Sequence, residues 1–376
     1  MPTKTQELGL SEARALIADR GFGGAGHLPA GPTVGVELES FTLPVIHPDR
    51  VPRPELPAGS RLSFEPGGQV ELSSQPARSV GRACGALAAD LAVVADAIAP
   101  LGARLVQAGM AASPGGRLVD GPRYQAMETY FDSAWPEGRA MMRSTASVQV
   151  NLGLGGLDHA LRRWEAANIL GPLLASAFAA SSSRRWASER TAVWLAIDPG
   201  RTAAVGLGGD PAAAWATYAL DARVMFIRVR DDCYVPLGDT ALRARDWVEG
   251  GHPLGFPTAD DLAYHLTTLF PPVRPKGWLE LRMIDALPDP WWRVPVAVAA
   301  AWVDDGEVVE AAGPSARRWP EAARAGMADP LLGPLAAWAS RRAVSGLDRV
   351  GADPCTASLT EQWAWCVQCG RPLPWT

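Results

Sequence analysis

Residues 63–74 read SFEPGGQVELSS and set two carboxylates, Glu65 and Glu71, on either side of a Pro-Gly-Gly turn. Pro66 cannot donate to a sheet ladder, and Gly67 and Gly68 admit backbone angles that other residues avoid. Residues 69–73 then read as a short strand, with Glu71 on the face opposite Val70 and Leu72. A carboxylate on each limb of a turn can converge on one point. Taken alone, the stretch is equally an ordinary hairpin with exposed acids. Upstream, residues 33–40 read TVGVELES. Glu37 and Glu39 are two apart and share a strand face, while Val36 and Leu38 share the other. Four carboxylates on strand-like segments repel one another unless cations hold them. Mg²⁺ prefers oxygen ligands and keeps waters and substrate phosphates in its shell. The pattern therefore points to a metal–nucleotide site more readily than to general acid–base chemistry.

Bulk properties bound the rest. The chain has 376 residues, and its 48% hydrophobic content is ample for a sizeable core in one large domain or two. A net charge of −5 without a basic run argues against nucleic acid as a partner. The opening residues, MPTKTQELGL, lack an apolar run, so no signal peptide is expected. Residues 166–183 carry no charge and are long enough to raise the question of a membrane. Their Gly171-Pro172 step and their Ala and Ser content read instead as a buried core helix, and no membrane partner is expected. Five scattered cysteines suit a reducing cytoplasm better than a disulfide framework.

Along the chain, a first helix is expected to begin at Ser11, with Glu12 in its first turn and Gly21 near its end. The first acids lie on a strand over 33–42, followed by a Pro-rich loop over 45–59 and the hairpin over 61–74. Residues 79–100 give the clearest helix. Val80, Cys84, Leu87, Leu91, Val94 and Ile98 recur at steps of four and three. Ser79 can cap its start and Pro100 stops it, and the stripe makes Cys84 a packing residue. Residues 109–116 read as a loop. In GPRYQAMETYF, from Gly121, a helix would place Arg123, Tyr124, Met127 and Tyr130 on one face, although an ordinary amphipathic helix has the same spacing.

Residues 141–152, MMRSTASVQVNL, alternate from Thr145. Thr145, Ser147, Gln149 and Asn151 face one way, and Ala146, Val148, Val150 and Leu152 the other. That suits a half-buried strand lining a polar cavity, or a solvent-facing strand. In SERTAVWLAIDPGRT, 188–202, Arg190 and Arg201 bracket Trp194 and Asp198. A guanidinium can hold a carboxylate by two prongs, so Arg190 is a candidate for an amino-acid substrate, with a surface loop arginine as the alternative. Asp210-Pro211 opens a helix through Tyr218, 225–230 read as a strand, and Thr258 starts a helix with Asp261 three residues later. His265, among Leu262, Leu266 and Leu269, reads as a packing histidine. Glu280 and Arg282 alternate with Leu279, Leu281 and Met283. Glu280 would be a fifth cavity carboxylate, and Arg282 could meet a phosphate. From Val294 the pattern is helical; 302–312 and 334–344 are expected as surface-packing helices whose tryptophans belong to the core. Cys366 and Cys369 form a lone CxxC to which no role is given. No Gly-rich phosphate loop occurs, so a nucleotide must be held through metals.

GVELES followed by FEPGGQVELS resembles the signature of the plant and bacterial glutamate–cysteine ligases, among the glutamine synthetase-like carboxylate–amine ligases. Further blocks match in order. GPRYQAMETY resembles the family's G-R-Y-x-x-M-x-x-Y. RSTASVQVNL is similar to R-T-C-T-V-Q-V-N-L, with Ala146 at the Cys. Arg190, Trp194, Arg201 and Thr202 match an R-x-x-x-W segment ending in D-R-T, and HLTTLFPPVR matches H-L-T-T-I-F-P-x-V-R. The resemblance runs from about 33 to about 305, and within the family it is to the actinobacterial branch that supplies γ-glutamylcysteine for ergothioneine.

The resemblance implies an α+β, glutamine synthetase-like catalytic fold, a curved, mainly antiparallel sheet backed by helices, taken as one domain over 1–376. It implies ATP-dependent ligation of the L-glutamate γ-carboxylate to L-cysteine through γ-glutamyl phosphate. Glu37, Glu65 and Glu280 would hold one Mg²⁺, and Glu39, Glu71 and Gln149 another, with two or three ions in all. Arg282 and Glu280 would act at the transferring phosphoryl. Arg190 would hold the glutamate α-carboxylate, and Trp194, Arg123, Tyr124, Met127 and Tyr130 would contribute to the substrate pocket. No protein nucleophile is needed. Two rival readings are a ligase of the same fold with another amine acceptor, and a non-catalytic amino-acid or nucleotide binder.

Overall fold

The computed structural model describes residues 8–23, 33–113, 115–230, 232–238 and 240–375. The expectation of no signal peptide therefore lies largely outside the described residues, as does residue 114 of the expected loop. The strands are β1 (Val34–Leu43), β2 (Arg61–Phe64), β3 (Val70–Ser73), β4 (Arg104–Val106), β5 (Ser147–Gly153), β6 (Phe226–Arg230), β7 (Cys233–Pro236), β8 (Val273–Pro275) and β9 (Trp278–Asp285). Seven form one sheet in the order β2-β3-β1-β5-β9-β8, with β4 also pairing β1. Every pairing in it is antiparallel, and β6 and β7 make a separate hairpin. The α+β architecture expected from the sequence is present.

The alternation read from the sequence becomes two unlike faces. Glu37 lies opposite Gln149, Glu39 opposite Glu71, and Asn151 opposite Glu280, so the acids and amides share one side. Val36, Leu38, Val70, Leu72, Val148, Val150, Leu152, Leu279 and Leu281 share the other and are all buried. Helices Val80–Ile98, Leu157–Ala177 and Arg293–Val303 pack on that apolar face. Each fully buried Val or Leu contributes about 1.5–3 kcal/mol of transfer free energy. The stripe of Val80–Ile98 is buried as expected, including Cys84, and Ser79 Oγ caps the helix by accepting from the Arg82 N–H at 3.3 Å. Among the described residues this helix, extended to Leu101, is long and apolar enough to cross a membrane by length and composition; here its stripe is spent on the sheet. The uncharged stretch expected as a buried core helix over 166–183 is helical only to Ala177, as the buried end of Leu157–Ala177 with Pro172 inside the helix; Ser182 and Ser183 lie beyond it and are exposed.

Three local expectations are corrected. The first helix, Leu10–Phe22, begins before Ser11, because the Gly9 N–H donates to Glu12 Oε2 at 2.9 Å and starts the turn there. The strand expected from Thr145 within 141–152 begins only at Ser147. Met141 and Met142 are buried on helix Glu137–Ser144, and Thr145 Oγ1 donates to the Met141 carbonyl at 2.7 Å, tying off that helix. The helix expected over 302–312 is broken, since Asp305 Oδ1 accepts from the Glu307 and Val308 N–H groups and caps a new helix, Gly306–Ala312. The preceding helix is core, every residue from Val294 to Val303 being buried.

The Pro-Gly-Gly turn is fixed from both sides. The Glu65 N–H donates to Gln69 O at 2.9 Å and the Gly68 N–H to Glu65 O at 2.8 Å, with Gly68 at φ 85°, a three-residue hairpin that needs a left-handed residue. Leu118 and Val119 both donate to the Pro66 carbonyl. A β-carbon on Gly67 would sit 2.1 Å from the Arg143 carbonyl oxygen, so the turn must be bare there. Gly67→Ala is expected to destabilise the protein by about 1–3 kcal/mol in urea denaturation. Gly85→Ala, at an exposed helix position with nothing within 4 Å, should instead gain about 0.5–1 kcal/mol. Equal effects of the two would mean the turn is not closely docked.

Candidate active site

The acid face of the sheet is the floor of a cavity of about 300 Å³. Glu37, Glu39, Glu65, Glu71, Gln149 and Glu280 line it. So do Arg123, Tyr124 and Met127, from helix Pro122–Asp132, and Arg190, Trp194 and Arg282. The strands supply the acids by alternation. Helix Glu189–Leu195, capped by Ser188 Oγ accepting from the Thr191 N–H at 3.0 Å, presents Arg190 and Trp194. A larger cavity of about 830 Å³ opens behind the sheet among Leu152, Ala166, Ile169 and Val309, and none of the five acids lines it.

Each carboxylate meets a different environment. Glu39 accepts from the Ser147 N–H at 2.8 Å, Ser147 Oγ at 3.0 Å and Gln149 Nε2 at 2.9 Å. Glu37 accepts from Asn151 Nδ2 at 3.0 Å, and Glu71 from Ser63 Oγ at 2.8 Å. Glu280 is fully buried and pairs with three cations: Arg274 Nε at 2.7 Å, Lys276 Nζ at 2.8 Å and Arg282 Nη1 at 2.9 Å. Burial pushes the Glu280 carboxyl up, but those cations more than offset it and hold it well below the usual range. Glu37, Glu65 and Glu71 have no such company. Burial raises all three, and mutual repulsion adds to it: Glu280 and Glu71 act on Glu37, Glu39 acts on Glu71, and Glu71 and Glu39 push Glu65 up to about 8. Gln149 is fixed in its amide orientation, donating to Glu39 and accepting from Arg282 Nη1 at 2.7 Å.

An all-oxygen set whose members cannot ionise together fits a hard divalent cation. Among the described residues, however, no three His, Cys, Asp or Glu side chains stand together as a ready metal-ligating group. Glu280 in particular turns to its three cations.

The structure brings together every candidate named from the sequence except Tyr130, which does not line the cavity. Its ring is fully buried and its hydroxyl donates to Asp198 Oδ2 at 2.5 Å, while Arg201 Nη2 donates to the same hydroxyl at 3.1 Å. A buried Asp–Arg pair needs its spare lone pairs and donors satisfied, and Tyr130 does that instead of meeting a ligand. Arg201 is likewise committed, through Asp198 and the carbonyls of Thr268 and Arg223. His265 is a packing histidine as expected, bonded through Nε2 to Ala219 O and lowered to about 4 by burial. The sequence reading gave no role to Arg274 and Lys276, although both share the parity of Glu280 and Arg282; the pairing of Arg274 with Glu280 across β8 and β9 is what that spacing encodes.

The raised Glu65 carboxyl has a signed consequence. Unfolded, it ionises near its ordinary 4.5; folded, near about 8. Between those values the unfolded chain is ionised while the folded one holds its proton, so stability falls as pH rises. In EDTA, Glu65→Gln should gain on the parent protein across this window by on the order of 1–3 kcal/mol and match it below. Urea denaturation at stepped pH reads the difference, and a flat difference would mean that Glu65 ionises normally.

The family model described as glutamate-cysteine ligase family 2 matches residues 33–347. The glutamate–cysteine ligase EgtA of Mycolicibacterium smegmatis is 40% identical over 335 residues, covering 81% of this chain and 78% of that protein. The EgtA protein of Mycobacterium tuberculosis H37Rv is 40% identical over 353 residues, covering 86% and 80%. The crystal structure of glutamate–cysteine ligase from Francisella tularensis in complex with AMP aligns with a TM-score of 0.56 at 12% identity, covering 90% of this chain and 82% of that one, a likeness of fold. With the family model spanning most of the chain and two relatives at 40% identity, this protein belongs to glutamate–cysteine ligase family 2.

Proposed function

We propose that this protein joins the γ-carboxylate of L-glutamate to the amine of L-cysteine at the expense of ATP. The observation that carries the reading is the meeting, in one cavity, of five carboxylates with Arg190, Arg282, Arg274 and Lys276. The activity for which the two EgtA relatives are named, glutamate–cysteine ligase, supports the same choice of substrates. In the first step the γ-carboxylate attacks the γ-phosphorus of ATP and ADP leaves. In the second the cysteine amine attacks the acyl carbon, phosphate leaves, and the amine gives up a proton.

Carboxylate attack on a triphosphate brings like charges together, so stabilisation is chiefly electrostatic. Arg282, held by Glu280 and Gln149, sits where it can face the transferring phosphoryl. Arg274 and Lys276, on the same carboxylate, extend that positive wall. Arg190 takes the glutamate α-carboxylate, which leaves only the side-chain carboxylate free to react and makes the product γ-linked. Trp194 borders that site, and Tyr124, Met127 and Arg123 border the acceptor. Glu37, Glu39, Glu65 and Glu71, with Gln149 and Glu280, would hold two or three Mg²⁺. When bound, these ions supply charge neutralisation between acids and phosphates. The cavity draws on residues from Glu37 to Arg282, which supports one catalytic unit over the chain. Five free cysteines support a cytoplasmic setting. The product would serve ergothioneine biosynthesis, as the resemblance to that branch implies.

Phosphate release from ATP with glutamate, with and without each amine, tests the reading. Cysteine should support the highest rate, 2-aminobutyrate a rate reduced by about the factor a 1–3 kcal/mol contact implies, and bulky or charged amines far less. EDTA should silence the reaction. Equal rates with unrelated amines would favour the broader ligase, and no phosphate release with any amine would favour a binder. Arg190→Lys keeps the charge but loses the two-pronged geometry; it should raise the glutamate KM at least tenfold while ATP and cysteine change little. An equal effect on all three would remove the α-carboxylate role.

A further inference from the structure

Asp285 ends β9, and strict alternation would turn it into the core beside Leu281 and Met283. The pairing with β5 prevents this. Leu281 lies opposite Val150 and Ile284 opposite Val148, so three steps along β9 answer two along β5. The extra residue sends Ile284 to the apolar face and sets Asp285 opposite Ser147, on the acid side.

There the carboxylate is 1% exposed and accepts four hydrogen bonds. Oδ2 takes the N–H groups of Ala180 and Ser181 at 2.9 and 3.0 Å and Ser181 Oγ at 2.7 Å; Oδ1 takes Ser188 Oγ at 2.9 Å. The same hydroxyls hold the helix that carries Arg190. Ser188 caps it, and Ser181 Oγ accepts from the Arg190 N–H at 3.1 Å. Asp285 Oδ1 stands 3.8 Å from Arg190 Nη1, too far for a hydrogen bond but near enough to act as a counter-charge. Among the described residues, the one hydrogen bond from the Arg190 guanidinium is Nη2 to Arg282 O at 2.8 Å. Arg282, by contrast, spends Nη1 directly on Glu280 and Gln149.

We propose that Asp285 is a positioning residue for glutamate recognition. Held back by Ser181 and Ser188, it gives the buried Arg190 a counter-charge and holds it in place without taking the Nη1 donors that a substrate carboxylate needs. The proposal rests on the assignment of Arg190 to glutamate.

Steady-state kinetics of Asp285→Asn test it. Asparagine can put its oxygen on the three-donor side and donate its amide to Ser188 Oγ, which can then turn its own hydrogen to Thr191 Oγ1; the charge is lost and the Ser188 bond reverses while the side chain keeps its shape. The glutamate KM should rise at least tenfold, with kcat and the ATP and cysteine KM values within threefold. An unchanged glutamate KM, or a uniform loss on all three substrates, overturns the role. In an Arg190→Lys background the same change should add less than threefold to the glutamate KM; full additivity overturns it. If Arg190→Lys raises the glutamate KM and Asp285→Asn does not, only the positioning role falls. If Arg190→Lys leaves it unchanged, the Arg190 assignment falls and takes this proposal with it. Ser188→Ala carries the test should Asp285→Asn fail to fold. It keeps the charge but frees Oδ1 to close on Nη1, and should raise the glutamate KM at least threefold with kcat retained; an unchanged value overturns the proposal.

Discussion

Five carboxylates crowd one face of a sheet, and the rest of the site is arranged by how that crowding is relieved. Alternation forces it: once Val36, Leu38, Val70 and Leu72 are buried against the helices, Glu37, Glu39 and Glu71 have no other side to occupy. An uncompensated buried charge costs several kcal/mol. Glu280 escapes that cost through three cationic partners, and Glu39 accepts three hydrogen bonds. Glu37, Glu65 and Glu71 stay frustrated, with carboxyls raised by burial and by one another. Along the sheet, Glu37 and Glu71 sit on β1 and β3, while the cations that pair with Glu280 sit on β8, on β9 and in the turn between them. That polarity suits a reaction in which anions must be drawn together.

The two cavity arginines answer different needs. Arg282 is pulled into a hydrogen-bonded chain from Glu39 through Gln149 to Glu280, and burial notwithstanding, Glu280 keeps its affinity for the proton high. Arg190 lies buried with its counter-charge at arm's length, and burial lowers its hold on the proton despite Asp285 and Glu39. One guanidinium is anchored through Nη1 to two side chains; the other is anchored through Nη2 to a backbone carbonyl and keeps Nη1 clear of its counter-charge.

Much of this was legible in the sequence because strand alternation and turn chemistry are local. The Pro66-Gly67-Gly68 turn, the faces of β1 and β3, the Val80–Ile98 stripe and the Glu280/Arg282 parity all follow from spacing. Tyr130 went astray because helical spacing gives a face but not its surroundings. It shares a face with Arg123 and Met127, yet the buried Asp198–Arg201 pair captures its hydroxyl. Helix Glu137–Ser144 was hidden for a similar reason. Met141 and Met142 fit a strand or a helix equally, and only packing against Phe131 and its neighbours decides.

Asp285 shows where reading by alternation must fail. A rule of period two carries the faces of a strand only while both partners advance in step. Between Val148 and Val150 they do not, and nothing in the residues of β9 announces the slip. The slip has a visible gain, however. Without it Ile284 would project into the acid cavity and Asp285 into the apolar core, each at a cost in transfer free energy. With it both side chains reach environments that suit them. Part of the free energy that holds the irregular pairing is therefore the burial of Ile284 and the four hydrogen bonds to Asp285, and the same irregularity brings a counter-charge to Arg190.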